Sequence, residues 1–133
     1  MNELYTIRMM KVTDRNFILS TWLRGLRFGC DPFYKIPSEL YYTKYQKVIE
    51  LLLANVHTDT VIACLKDDPD VILAYAVIGD HGERLHWAYT KKSWRGLGIQ
   101  KKLIPSSIKT VSHLTKSGEE LAAKRGWSYD PFL

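Results

Sequence analysis

The sequence predicts an α/β protein in one domain, residues 1–133, built on a mixed sheet in the order β-α-α-β-β-β-α-β-α with a reduced C-terminal part. Three observations carry this. The first 55 residues hold two apolar stripes at helical spacing behind a short alternating strand. After residue 59 come three consecutive β-rich runs, and the middle one, VILAYAVIG, is apolar throughout. A glycine loop, RGLGI, then joins the third run to a new helix, so the next strand returns by a crossover.

The elements follow in order. LYTIRMM, 4–10, alternates and carries β-formers. Thr13-Asp14 offers an N-cap. Ile18, Leu19, Trp22, Leu23 and Leu26 then recur at helical spacing, with Gly25 and Gly29 marking the end. FGCDPFYKIP is an aromatic loop fixed by two prolines. Ser38 before Glu39 starts a second helix, whose apolar face is Tyr41, Tyr45, Val48, Ile49, Leu52 and Leu53, ending at Asn55. TVIACLKD is a strand, and Asp67-Asp68-Pro69-Asp70 turns it into VILAYAVIG, a doubly buried central strand. Asp80 to Glu83 turns again. RLHWAYT should place Leu85, Trp87 and Tyr89 on one face and His86, Ala88 and Thr90 on the other. IQKKLI opens a helix that Pro105 cuts short. IKTVSHL reads as a strand, Ser117 to Arg125 as a helix closed by Gly126, and WSYDPFL as a strand-like or packed tail.

Composition bounds the function. Hydrophobic residues make up 46% and charged residues 25%, as in ordinary soluble domains. No run of about 18 apolar residues exists, so no membrane partner is expected. MNELYTIRMM lacks the charged-then-apolar layout of a signal peptide. Cys30 and Cys64 stand alone, without metal spacing, which fits the reducing cytoplasm and predicts no metal site. The net charge of +5 favours anionic partners: nucleic acid, a phosphorylated cofactor or an anionic surface.

The glycine loop narrows that choice. Glycines let a backbone approach a ligand and expose successive N–H groups, and a new helix turns its unpaired N–H groups to the same spot. Such a corner suits a phosphate or pyrophosphate. Arg95, Lys101 and Lys102 add charge. A tight turn with a solvated basic face is the competing reading. The phosphate-loop NTPase pattern fails for want of Gly-Lys-Ser/Thr, and the dinucleotide pattern lacks its third glycine.

Arg95-Gly96-Leu97-Gly98-Ile99-Gln100, preceded by Trp94, resembles the acetyl-CoA motif of the GCN5-related N-acetyltransferases (GNAT), Gln/Arg-x-x-Gly-x-Gly/Ala. The element order matches that family over nearly the whole chain, and compact phage-type members are similar in size and charge. The resemblance implies an acyl-CoA-dependent N-acyltransferase with acetyl-CoA as cofactor. It implies that backbone amides of Arg95, Gly96, Leu97, Gly98, Ile99 and Gln100 hold the pyrophosphate, with Lys101 also in the cofactor site. Ala88, Tyr89 and Thr90, at a strand bulge, would contact pantetheine and the acetyl carbonyl. The amine acceptor, a small molecule or a protein, would enter between splayed strands.

The chain departs from the motif at Gln100, where Gly or Ala is usual, and Pro105 shortens the following helix. The family's Tyr acid falls on Ala122, so Tyr129 or Ser117 would have to supply the proton. His86 is the candidate base, with packing at the sheet surface as the other reading; His113 is the second candidate. His57, His81 and Glu83 read as surface groups. Phe28, Phe33, Tyr34, Tyr41 and Tyr42 read either as packing or as an acceptor pocket, in which Arg24 and Arg27 would favour an acidic or phosphate-bearing substrate. Two alternatives stay open: a Mom-like relative that binds or modifies nucleic acid, and a non-catalytic GNAT that binds CoA or protein. A homodimer is a further partner that the resemblance allows.

Overall fold

The structure, a computed structural model, describes residues 4–132. Residues 1–3, ahead of the expected N-terminal strand, and the last residue of the tail lie outside them. Six strands form one sheet in chain order: β1 (Tyr5–Met9), β2 (Asp59–Leu65), β3 (Ile72–Gly79), β4 (Arg84–Thr90), β5 (Thr110–Val111) and β6 (Ser128–Tyr129). β1 to β4 pair antiparallel; β5 and β6 are added parallel. The helices are α1 (Arg15–Gly29), α2 (Asp31–Tyr34), α3 (Ser38–Ala54), α4 (Ile99–Leu103) and α5 (Lys116–Arg125).

Two cores lie on opposite faces of the sheet. On one, Ile18, Trp22 and Leu26 of α1 and Tyr41 and Ile49 of α3 cover Ile62, Tyr75 and Val77. On the other, Ile99 and Leu103 of α4 lie over Ala63, Ala74 and Ala76. Those alanines are small, which lets so short a helix seat closely on the strands. β3 is buried along its whole length, as its apolar run requires. Tyrosine hydroxyls tie α1 to its neighbours: Tyr41 Oη donates to Leu23 O at 2.6 Å and Tyr75 Oη to Ile18 O at 3.2 Å.

Several boundaries differ from the sequence reading. Asp14 does not cap α1 with its side chain. A 3₁₀ turn, Val12–Asp14, precedes the helix, and the buried carboxylate is held by Arg8 at 2.7 and 3.0 Å and by Lys11 N–H at 2.8 Å. The Arg8 guanidinium holds Asp14 below the usual carboxylate range. The aromatic loop contains one helical turn, α2. Only Thr110–Val111 of IKTVSHL is strand, and the tail contributes β6. α1 runs through Gly25 to Gly29.

Gly25 is a contact rather than an end. A Cβ there would lie 2.8 Å from Cζ2 of Trp87, whose ring stacks on Trp22 at 5.8 Å between centroids. In an open helix, Gly→Ala would stabilise by about 1 kcal/mol. Here Trp87 has little room to retreat, so Gly25→Ala should lower stability by about 1–2 kcal/mol through overpacking. Urea unfolding checks this; unchanged or raised stability would mean that the indole yields freely.

Candidate functional site

The site begins with one extra residue in β4. Val77 pairs with Trp87 but Ile78 pairs with Leu85, so His86 is a bulge. The bulge resets the alternation expected for RLHWAYT. Leu85 packs with α4, while Trp87 and Tyr89 pack with α1 and α3. Parallel pairing of β4 with β5 covers only Arg84 and Leu85, followed by Ser112 N–H donating to Leu85 O. Beyond the bulge the two chains part. Lys91 N–H bonds Leu73 O across the β3 edge. Strand alternation therefore turns the backbone N–H and C=O of Ala88 and Thr90 to the open edge.

A cleft of about 860 Å³ occupies this gap. Its walls are β4 from Leu85 to Thr90, the segment His113–Thr115, α5, the glycine loop, and Thr21, Arg24, Gly25 and Phe28 of α1. It thus runs from the α4 face of the sheet to the α1 face.

The loop is shaped for close approach. Gly96 and Gly98 have φ of 79° and 78°, in the left-handed region, and a Cβ on either would meet nothing within 4 Å. Arg95 Nε donates to Thr90 O at 2.9 Å, clamping the loop to the strand end. The Gln100 amide donates to Thr90 Oγ1 at 3.1 Å, which ties its larger side chain to the same strand end. The expected cofactor residues Ala88, Tyr89, Thr90, Arg95, Gly96, Gly98, Ile99, Gln100 and Lys101 all line this one cleft. Leu97 does not; it is 62% exposed.

His86 is buried, with Nδ1 2.7 Å from Ser112 Oγ and Nε2 against Gly79, where a Cβ would be only 2.7 Å away. Ser112 Oγ also lies 2.8 Å from His113 Nδ1, and His113 Nε2 is 2.5 Å from Tyr45 Oη. A single hydroxyl between two Nδ1 atoms is fully satisfied when it donates to one and accepts from the other. The two imidazoles then carry complementary tautomers. Burial, then the Arg84 charge, pushes His86 down to about 4; burial and the neighbouring His86 push His113 down to about 4. Burial raises Tyr45 to about 12, so it keeps its proton.

The other candidates separate. His113 and Ser117 line the cleft; Tyr129, on β6, is 54% exposed and is not among the lining residues. His57 and His81 are exposed neighbours, ring centroids 5.4 Å apart. Phe33, Tyr41 and Tyr42 belong to the core, and Arg27 lies over the Tyr41 and Tyr42 rings while donating to Ile36 O at 2.9 Å. Phe28 and Tyr34 form an exposed pair. The sequence reading missed Ser112 and Tyr45, because their partners are up to 68 positions away and neither carries a local signal. Among the described residues no group of three metal-ligating side chains exists, and no helix is long and apolar enough to cross a membrane.

The histidines make an acid-side prediction. Their folded values lie below the ordinary 6.5, so the unfolded chain binds protons that the folded one refuses between about pH 6.5 and 4. Stability from this source is complete above that window and falls as pH drops through it. The urea midpoint should decline from pH 7 to 4.5, and less steeply in a His86→Asn, His113→Gln double variant. Equal slopes would mean that water reaches both rings.

No family model matches the sequence, and no curated protein matches it. Solved structures do. A GCN5-related N-acetyltransferase from Ralstonia eutropha JMP134 is similar with TM-score 0.67 at 14% identity, covering 97% of this chain and 95% of that one. A predicted acetyltransferase from Clostridium acetobutylicum, solved with acetyl-CoA, gives 0.65 at 19% identity over 97% and 94%. AAC(6')-Iy in complex with the bisubstrate analog CoA-S-monomethyl-acetylneamine gives 0.52 at 15% over 95% and 92%. The chain has the fold of the GNAT acetyltransferases.

Proposed function

We propose that this GNAT-type fold works as an acyl-CoA-dependent N-acyltransferase that moves an acetyl group from acetyl-CoA to an amine. One observation carries the reading. The open edge of β4, from Ala88 to Thr90, lies in the same cleft as the two left-handed glycines of a basic loop.

The residues fit the cofactor. Space stands open over Gly96 and Gly98, Lys101 and Arg125 line the cleft beside Arg95, and the exposed strand edge can pair with an extended amide-bearing chain. When bound, acetyl-CoA supplies an acetyl group activated as a thioester. The loop amides from Arg95 to Lys101 would hold its phosphates. The unpaired Ala88 N–H is placed to polarise a carbonyl.

Proton handling falls to the groups bordering the cleft. A lone buried imidazole would be a costly place for positive charge. When His86 takes a proton, its Nδ1 proton can pass to Ser112 and the Ser112 proton to His113 Nδ1, so that the two rings share the charge. For the proton returned to the thiolate, Ser117 lines the cleft and is better placed than Tyr129. Cys30 and Cys64 are free thiols, in keeping with a reducing compartment such as the cytoplasm.

Acetyl-CoA should bind and raise the melting temperature, since a ligand of the native state alone adds RT ln(1 + [L]/Kd). Titration calorimetry without heat at millimolar acetyl-CoA would remove this function. The phosphate site has its own test. Gly98→Asn and Gly98→Asp are alike in shape and tolerate left-handed backbone better than most residues. Asn should retain binding within about tenfold, whereas Asp should lose about 100-fold or more by setting a carboxylate against phosphate. Equal affinities would place the phosphates elsewhere.

A further inference from the structure

We infer that the acceptor is an amine that carries its own anionic group, a carboxylate or a phosphate, which Arg24 receives at the α1 end of the cleft. The inference rests on the acyltransferase reading and extends it to the acceptor.

The charge content of the cleft is one-sided. Among the described residues that line it, none is Asp or Glu, whereas Arg24, Arg95, Lys101 and Arg125 are all present. An aliphatic amine arrives largely protonated at neutral pH. A second positive charge on the acceptor would meet these cations with no carboxylate to answer it, so diamines and polyamines are disfavoured. An amine that is neutral or negative overall avoids that penalty.

The cations also divide by position. Arg95 and Lys101 belong to the glycine loop and α4, and Arg125 to α5 over the Trp127 ring at 5.7 Å. These suit a phosphorylated cofactor. Arg24 comes from the opposite layer. It stands next to Gly25, the residue that touches Trp87 midway along β4. Its neighbours in sequence are committed elsewhere: Arg15 pairs with Glu50, and Arg27 is held by Ile36 O and three tyrosine rings. Arg24 is exposed and has no hydrogen-bond or ion-pair partner among the described residues. A guanidinium in that state is a ready bidentate receptor for carboxylate or phosphate.

A second hollow supports the assignment. About 400 Å³ in size, it shares Arg24 with the main cleft and is otherwise lined by Asn16, Ser20, Gln46, Tyr42 and two leucines, again without a carboxylate. Its amides and hydroxyls can hydrogen-bond the remainder of an anionic amine whose acid group rests on Arg24.

The experiment uses the full chain. Calorimetry first establishes that acetyl-CoA binds; failure there removes the acyltransferase reading, and this inference falls with it. Release of CoA thiol is then followed with L-glutamate, O-phosphoethanolamine, cadaverine and spermidine as acceptors. At least one of the first two should exceed both polyamines in kcat/KM by about tenfold or more. Which of the two is faster separates carboxylate from phosphate. Arg24→Ala should lower that advantage by about tenfold through KM, and Arg24→Lys should restore part of it. Arg24→Glu should reverse the order of acceptors, with acetyl-CoA affinity kept within about threefold in all three variants. Equal or faster turnover of cadaverine or spermidine would overturn the inference. So would silence from both anionic amines despite acetyl-CoA binding, or a loss of acetyl-CoA affinity in Arg24→Ala larger than the loss for the acceptor.

Discussion

The His86 bulge is the constraint on which the site depends. One additional residue in β4 bends the strand, and parallel pairing with β5 ends at Leu85, immediately before it. Without the bulge, β4 and β5 could continue side by side and the middle of the sheet would be closed. With it, one edge of a central strand has unpaired backbone groups inside the protein. Such groups are costly unless something pairs with them, which is why an edge of this kind in a fold interior marks a binding site. The same residue switches the side-chain alternation. Leu85 serves the α4 core while Trp87 and Tyr89 serve the α1 core, so the bulge allows both faces to be filled as well as the gap to open.

Packing around the gap keeps it in shape. Trp87 is pinned between Gly25 and the stacked ring of Trp22, and Trp22 lies edge-on to His113 at 5.4 Å. From there hydrogen bonds run through Ser112 to His86 and through Tyr45 to α3. Both helices of one layer are therefore connected to the chain segment that diverges from β4. On the other layer the Arg95–Thr90 clamp holds the glycine loop to the strand end. The opening is bounded on every side by contacts that resist collapse.

The electrostatics of the cleft follow from what is absent from its lining as much as from what is present. Neutral histidines sit in its wall, a protonated Tyr45 stands against one of them, His113, and all formal charge on its lining is positive. The cations near the loop, Arg95 and Lys101, suit the phosphorylated cofactor proposed above. The cation on α1, Arg24, lies in the other layer, apart from those cations.

Much of this was legible in the residues taken in order. Hydrophobic period 3.6 marks α1 and α3, continuous apolar character marks β3, and Pro105 ends α4, because each depends on neighbours within a few positions. The sequence singles out Ala88 to Thr90 and Arg95 to Lys101, which apart from Leu97 line one cleft, for the same reason: a strand, a glycine corner and a helix start are local features. The bulge was not readable at His86, since an extra residue exists only relative to a partner strand. Gly25 read as a stop and proved to be a contact, because its reason lies in Trp87. Arg24 and Arg27 looked equivalent in sequence; the first has no hydrogen-bond or ion-pair partner among the described residues and the second is locked among tyrosines and Ile36. The network His86–Ser112–His113–Tyr45 joins positions 26 and 68 apart. The sequence by itself thus determined the elements, their order and the glycine corner, all short-range consequences of backbone and side-chain preference. Tertiary structure alone decided where the sheet opens, which titratable groups meet and whether Arg24 or Arg27 is tied down, because those depend on pairs that only the completed chain brings together.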